Sequence, residues 1–212
     1  GQLGLGDREN KCIFTQVPDG NFLMVSSSSD HTFAIDKELF LWSCGINTFG
    51  QLGLGHQKGQ TTLTKVNENK FISVSCGKYH TAAICQEGHL WTCGTGVCGQ
   101  LGLAIMGHRD VLTRIAADDN RKFVQVYCGH YYTTVLDQEG YLWGCGSNTQ
   151  GQLGLGPIKS VATLTKIDDH QFVSVSCGFA HTMALDKEGY LWSCGDNNFG
   201  QIGHDDCENK LT

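Results

Sequence analysis

Apolar and polar residues alternate with a period of two in segments spread along this chain. The segment Phe172–Cys177 reads FVSVSC, which is the pattern of a half-buried β-strand. After it, Thr182–Leu185 predicts a short second strand, Lys187–Gly189 a hairpin turn and Tyr190–Cys194 a third strand. A fourth strand is predicted at Leu164–Ile167 and at its counterparts elsewhere. No window shows a sustained helical period, so the pattern predicts an all-β chain.

The same set of strands is repeated along the sequence. The motif GQLGLG starts at Gly1 and returns, with variations, from positions that lie 49, 49, 52 and 49 residues apart. Two further motifs, LWxCG from Leu41 and His-Thr from His31, return with matching spacings. The repeats are 1–49, 50–98, 99–150 and 151–199, and 200–212 starts a further one. Four strands in a repeat of about fifty residues predict the blades of a β-propeller.

Composition narrows the classes of function. The 28 glycines and only 2 prolines favour tight turns between short strands. The net charge is −6 and no run of Lys or Arg occurs, which disfavours direct binding to nucleic acid. No stretch reaches the length of a membrane span. The 11 cysteines are odd in number and mostly fall at repeated positions, so we expect a reduced, intracellular setting, cytoplasmic or nuclear.

The segment from Cys177 to Ile202 follows the pattern CGxxHTxAL…EGxLWxCGxNxxGQLGLG. It resembles the repeat of the RCC1 (regulator of chromosome condensation) family, and the resemblance extends over essentially the whole chain. Members of this family usually close a ring of seven blades, so the resemblance implies that these four blades are an arc of a larger ring. The alternative is a four-bladed ring whose ends meet to complete one blade. An open arc would leave blade faces unpaired and is expected to associate with itself or with further chain.

Side chains that recur in every repeat are predicted to build the scaffold. The tryptophans, at equivalent positions, are expected to pack between blades rather than to form a ligand cage. The histidines are expected to satisfy backbone groups at the start of a strand rather than to act as catalytic bases, because no nucleophile accompanies them. One cysteine per motif in each repeat scatters the thiols, so no metal site and no cofactor are expected. These structural positions are Trp42, Trp91, Trp143, Trp192, His31, His80 and His181.

Positions that differ between repeats are the candidates for function. The first set lies between the CG and His-Thr motifs, where aromatic residues of the kind that interfaces favour occur. It comprises Asp30, Lys78, Tyr79, His130, Tyr131 and Phe179. The second set is the segment 116–122, which carries the insertion of the longest repeat and the charged residues Asp118, Asp119 and Arg121. A merely solvated turn is the alternative for this second set.

The sequence therefore favours a non-enzymatic module that docks a partner protein on the loop face of the propeller. The family resemblance implies an alternative, guanine-nucleotide exchange on a small Ras-like GTPase. No insertion is long enough for the β-wedge expected of the exchange factor, and the acidic residue expected two places before the His-Thr pair is replaced by Ser29, Lys78, His130 and Phe179. Chromatin binding is opposed by the acidic balance of charge.

Overall fold

The computed structural model describes residues 1–18, 20–116, 121–203 and 208–210, and these contain β-strands and no helix. The described residues therefore contain no helix that could cross a membrane. The prediction of an all-β chain is confirmed. The strands are β1 (Phe22–Ser27), β2 (His31–Asp36), β3 (Phe40–Gly45), β4 (Gln60–Cys76), β5 (His80–Cys85), β6 (Leu90–Thr95), β7 (His108–Arg114), β8 (Phe123–Cys128), β9 (Tyr132–Asp137), β10 (Tyr141–Ser147), β11 (Ser160–Cys177), β12 (His181–Asp186) and β13 (Leu191–Gly195).

Each blade is an antiparallel meander, and some strands serve two blades. The first part of β4 pairs with β3, where Trp42 lies opposite Lys65, and its last part pairs with β5, where Val74 lies opposite Ala83. The strand β11 joins the third and fourth blades in the same way. The outer strand of one blade therefore continues directly into the inner strand of the next. This continuity gives one sheet of seven strands, β1 to β7, and one of six, β8 to β13.

The glycine that ends each LWxCG motif is required by a close crossing of two backbones. Gly45 has φ 113°, and a Cβ atom there would overlap the carbonyl oxygen of Asp30 in the loop before β2. The same overlap recurs at the three equivalent glycines with the loops of their own blades. Because only glycine tolerates both this φ and this approach, the motif brings the β1–β2 and β3–β4 loops together at one end of the blade.

Neighbouring blades bury each other's faces. Val74 is 6% exposed, packed in a cluster with Phe33 and Leu41 of the preceding blade. The equivalent residue of the first blade, Val25, is 68% exposed. At the other end Leu191 is 65% exposed, whereas its counterpart Leu41 is fully buried. Among the described residues no blade covers these two end faces, and the blades form an open arc.

Candidate functional site

The strand directions divide the loops between two opposite faces of the arc. Thr95 at the end of β6 pairs with His108 at the start of β7, and Trp91 pairs with Arg114 at the other end. We name the loops of every blade after their counterparts in the first blade. The β1–β2 and β3–β4 loops of each blade therefore share one face, which we call the loop face. The β2–β3 turns and the connection that follows each outer strand share the opposite face, which we call the turn face.

A buried relay beneath the loop face connects each blade to the next. The His31 Nε2 lies 2.9 Å from the hydroxyl of Thr81 in the second blade, and that hydroxyl donates to the carbonyl oxygen of Gln51, also at 2.9 Å. Because the hydroxyl has a single proton, it accepts from an Nε2–H of the imidazole. The junction between the second and third blades repeats this arrangement with His80, Thr133 and Gln100.

Burial keeps the relay histidines uncharged. It lowers the pKa of His31 to about 4 and that of His80 to about 3, and both side chains are fully buried. Each imidazole meets the hydroxyl of the next blade, whereas the sequence suggested backbone groups at its own strand start. The second partner differs between blades: Ser28 Oγ lies 2.8 Å from Nδ1 of His31, but Nδ1 of His80 has no hydrogen-bond partner among the described residues.

Tyrosine replaces histidine at the third junction. The Tyr132 hydroxyl donates to the carbonyl oxygen of His181 and lies 3.2 Å from the hydroxyl of Thr182, which donates to the Gln152 carbonyl oxygen at 2.7 Å. The longer side chain thus reaches the backbone of the next blade as well as the threonine hydroxyl. His181 occupies the same position in the fourth blade and is only half-buried. The relay position is therefore defined by reach and hydrogen-bonding capacity rather than by one residue type.

The repeated thiols reinforce the same junctions. Cys93 Sγ lies 3.3 Å from the Gln51 carbonyl oxygen that also accepts from the relay threonine. Cys145 makes the equivalent contact with Gln100 at 3.5 Å. Burial raises the pKa of Cys145 to about 12, so this group is a neutral thiol. Within the described residues no three His, Cys, Asp or Glu side chains are grouped to hold a metal ion.

The tryptophans are anchored by aspartates at the ends of the second strands. Trp143 Nε1 donates to Asp137 Oδ2 at 2.9 Å, and the first and fourth blades repeat this pair. In the second blade Cys85 replaces the aspartate, and within the part of the chain that the structure describes the buried Nε1 of Trp91 has no hydrogen-bond partner. Trp91 and Trp143 pack against the core clusters between blades, but Trp192 on the end face is 40% exposed.

Aromatic side chains form a band across the loop face. His130 stacks on Phe179 with ring centroids 4.0 Å apart and meets Tyr131 edge-on at 4.4 Å. Tyr131 lies 6.4 Å from Tyr79, and Tyr79 lies 5.2 Å from Phe49. We call these five residues the aromatic band. Phe49 was missed by sequence reasoning, although the residue before the Gly-Gln pair also varies between repeats, as Phe49, Cys98, Gln150 and Phe199.

The predicted charged positions separate between the two faces. Lys78 and Asp30 lie on the loop face with the aromatic band, where the Lys78 ammonium is 4.9 Å from the Tyr79 ring. Arg121 lies on the turn face, stacked 3.5 Å above the ring of Trp143 with its Nε 4.0 Å from Asp137. The two candidate sets therefore do not form one surface. Asp118 and Asp119 lie outside the described residues.

A family model named "RCC1-like domain" matches residues 1–212. The chain belongs to the RCC1-like domain family. The RCC1-like fold of this chain is similar to the crystal structure of human WBSCR16, with a TM-score of 0.87 and 24% identity over 99% of this chain and 58% of that one. Prp20p from Saccharomyces cerevisiae gives a TM-score of 0.81 and 20% identity over 95% and 51% of the two chains. Yeast RCC1 (Prp20) bound to Kap60 gives 0.83 and 19% over 93% and 49%.

This RCC1-like chain therefore spans about half the length of these structural relatives. At these levels of identity the likeness shows the fold. No curated protein matches the sequence.

Proposed function

We propose that this chain is a non-enzymatic interaction module that docks a partner protein across its loop face. The observation that carries the proposal is the aromatic band, which brings side chains of all four blades together on that face. Large aromatic side chains that are partly exposed and held in place are the usual anchors of protein interfaces. Here the anchors sit on loops whose ends are held by the strands of a rigid scaffold.

Further exposed apolar side chains lie on the same face as the band. Phe179 is 68% exposed and Phe199 is 91% exposed. Contiguous exposed apolar surface on a folded domain indicates a site of interaction. Further exposed apolar residues of the β3–β4 loops are Ile46, Val97, Ile105, Met106 and Ile158.

The β3–β4 loops that present these residues are held by buried hydrogen bonds. The Asn148 amide donates to the carbonyl oxygens of Gly156 at 3.1 Å and Ile158 at 2.7 Å, and its Oδ1 accepts from the Leu153 amide at 2.8 Å. Asn47 makes a corresponding set of bonds in the first blade. A surface that is already ordered loses little conformational entropy on binding, which favours affinity.

The solved relatives include a protein complex, which agrees with a docking role. Yeast RCC1 (Prp20) is bound to Kap60 in one crystal structure. Prp20p from Saccharomyces cerevisiae is a protein with binding properties to Gsp1p and histones. These partners belong to the yeast protein. For the present chain they support binding of some protein, and the partner's identity is left to experiment.

The proposal is tested by comparing partner capture by matched variants of the two faces. The purified, tagged chain and its Tyr131→Ala/Phe179→Ala variant are used to capture proteins from a lysate of the source organism, followed by mass spectrometry. We expect the loop-face variant to lose the specific partners. A variant of the exposed turn-face residue, Lys37→Ala, is the control and should retain them, and both variants should keep the circular dichroism spectrum of the parent. Retention of every partner by the loop-face variant would refute the proposal.

Guanine-nucleotide exchange on a small Ras-like GTPase is the second candidate, because it is the activity that the family resemblance implies. Its test is the release of fluorescent nucleotide from a panel of small GTPases. Acceleration by the chain, lost in the Tyr131→Ala/Phe179→Ala variant, would establish exchange on the same face. No acceleration across the panel would leave docking alone as the function.

A further inference from the structure

A cavity of about 390 Å³ opens on the loop face where the β1–β2 loops of all four blades converge. Its floor is bare backbone, because a Cβ atom at Gly77, Gly129 or Gly178 would overlap the ring of the following relay residue. Its walls are therefore formed by the variable residues that follow these glycines. The side chains that line the cavity include Ser28, Ser29, Lys78, His130 and Phe179.

The lining of this cavity contains a cation and no carboxylate. No described carboxylate lies within ion-pair distance of the Lys78 ammonium, which contacts the face of Tyr79. The nearest acid in sequence, Asp30, accepts a hydrogen bond from the Ser29 hydroxyl at 3.1 Å. An ammonium that no described carboxylate pairs with is suited to an anionic guest.

Lys78 is the one charged side chain among the described residues that line the cavity, although the whole chain is acidic, at −6. The β2–β3 turns of the opposite face carry mostly carboxylates, and an acidic segment of a partner is repelled from these turns. The charged residues of these turns are Asp36, Lys37, Glu38, Glu87, Asp137, Glu139, Asp186, Lys187 and Glu188.

The aromatic band borders the cavity, so it contacts the residues of the partner that flank the bound carboxylate. Phe179 and His130 belong to both the cavity wall and the band. A segment that places a carboxylate in the cavity therefore lays its neighbouring residues on exposed aromatic rings. Apolar or aromatic neighbours bury surface there, which a free inorganic anion cannot do.

We infer that the partner inserts an Asp or Glu side chain into this cavity, from a protein segment that also presents aromatic or apolar residues, and that Lys78 pairs with its carboxylate. The inference rests on the proposed docking function and specifies the chemistry of the docked segment.

The test measures fluorescence anisotropy with two labelled peptides, four repeats of Glu-Tyr and four repeats of Gln-Tyr, titrated with the purified chain. We expect the glutamine peptide to bind at least tenfold more weakly. Lys78→Gln should weaken binding of the glutamate peptide about fivefold, which is about 1 kcal/mol at 1.4 kcal/mol per tenfold. Lys37→Gln, which removes an equivalent charge from the turn face, should leave the affinity unchanged. Unchanged thermal midpoints show that both variants are folded.

Equal binding of the two peptides, or equal affinities of the Lys78→Gln and Lys37→Gln proteins, would overturn the inference. Inorganic phosphate or a single-stranded oligonucleotide that displaces the glutamate peptide at comparable concentration would overturn it as well, since either result assigns the cavity to another anion. Failure here is distinguishable from failure of the docking function. If the peptides are not discriminated while Tyr131→Ala/Phe179→Ala still abolishes partner capture, docking stands and the carboxylate assignment falls.

Discussion

Lowering the pH from 6.5 to 4.5 should destabilise this propeller arc through the two buried relay histidines. Their pKa values, about 4 for His31 and about 3 for His80, lie below the value of about 6.5 expected in the unfolded chain. Over this range the two histidines bind protons in the unfolded state but remain largely unprotonated in the folded state. The stabilisation is complete above pH 6.5 and is lost as the pH falls toward the folded pKa values.

The size of the effect follows from the number of protons that the unfolded state binds and the folded state does not. Each histidine contributes about 1.4 kcal/mol per pH unit, so two histidines over two units remove roughly 5 kcal/mol from the free energy of unfolding. This is comparable with the whole stability of an ordinary domain, about 5–15 kcal/mol. For His80 the first cause of the lowered pKa is burial, and a second proton on its Nδ1 would also find no acceptor among the described residues.

The assay is urea unfolding followed by tryptophan fluorescence at a series of pH values between 7 and 4.5. His80→Gln keeps a side-chain donor for Thr133 but cannot titrate, so it should reduce the slope of stability against pH by about half. His108→Gln, which changes an exposed ring on the loop face, is the control and should keep the parent slope. Carboxylates contribute equally to all three proteins. A parent slope retained in His80→Gln would refute the assignment of the acid sensitivity to the relay.

Three further predictions concern the blades. Cys85→Asp should raise the free energy of unfolding by about 1 kcal/mol, by giving Trp91 Nε1 the acceptor that Asp137 gives Trp143; a decrease would mean that desolvation of the carboxylate dominates. Val74→Ala should cost about 2 kcal/mol and Val25→Ala less than about 0.5, and equal losses would contradict the open end face. Asn148→Ala removes three hydrogen bonds and should lower the free energy of unfolding, measured with heat or urea, by about 3 kcal/mol. A loss below about 1 kcal/mol would show that the loop does not depend on this side chain.

Much of the fold was predictable from the sequence because its signals are local and repeated. A period of two in Phe172–Cys177 is a property of neighbouring residues, and it predicts a strand wherever the segment lies. The glycine of LWxCG recurs because the same backbone crossing recurs in each blade, at Gly45 and its equivalents. Repetition at fixed spacing then implies identical units that stack, and hence a propeller.

The candidate site was only half predictable. The variable positions Lys78, Tyr79, Tyr131 and Phe179 stand out in the sequence because the flanking motifs define their place. That Phe49 joins them depends on a contact between the loops of two blades, which no local pattern records. The position of Arg121 on the turn face likewise follows from the direction of β7, a property of strand pairing.

The sequence by itself determined the repeat, the strands and the residues that every blade shares, since those depend on interactions within one unit of about fifty residues. Only the tertiary structure decided how the units are joined. The hydroxyl of Thr81 is the partner of His31 because blades stack at close range, and these residues are 50 positions apart. Exposure was decided in the same way: Val25 and Val74 are the same residue at the same place in the repeat, and a neighbouring blade alone makes one of them core.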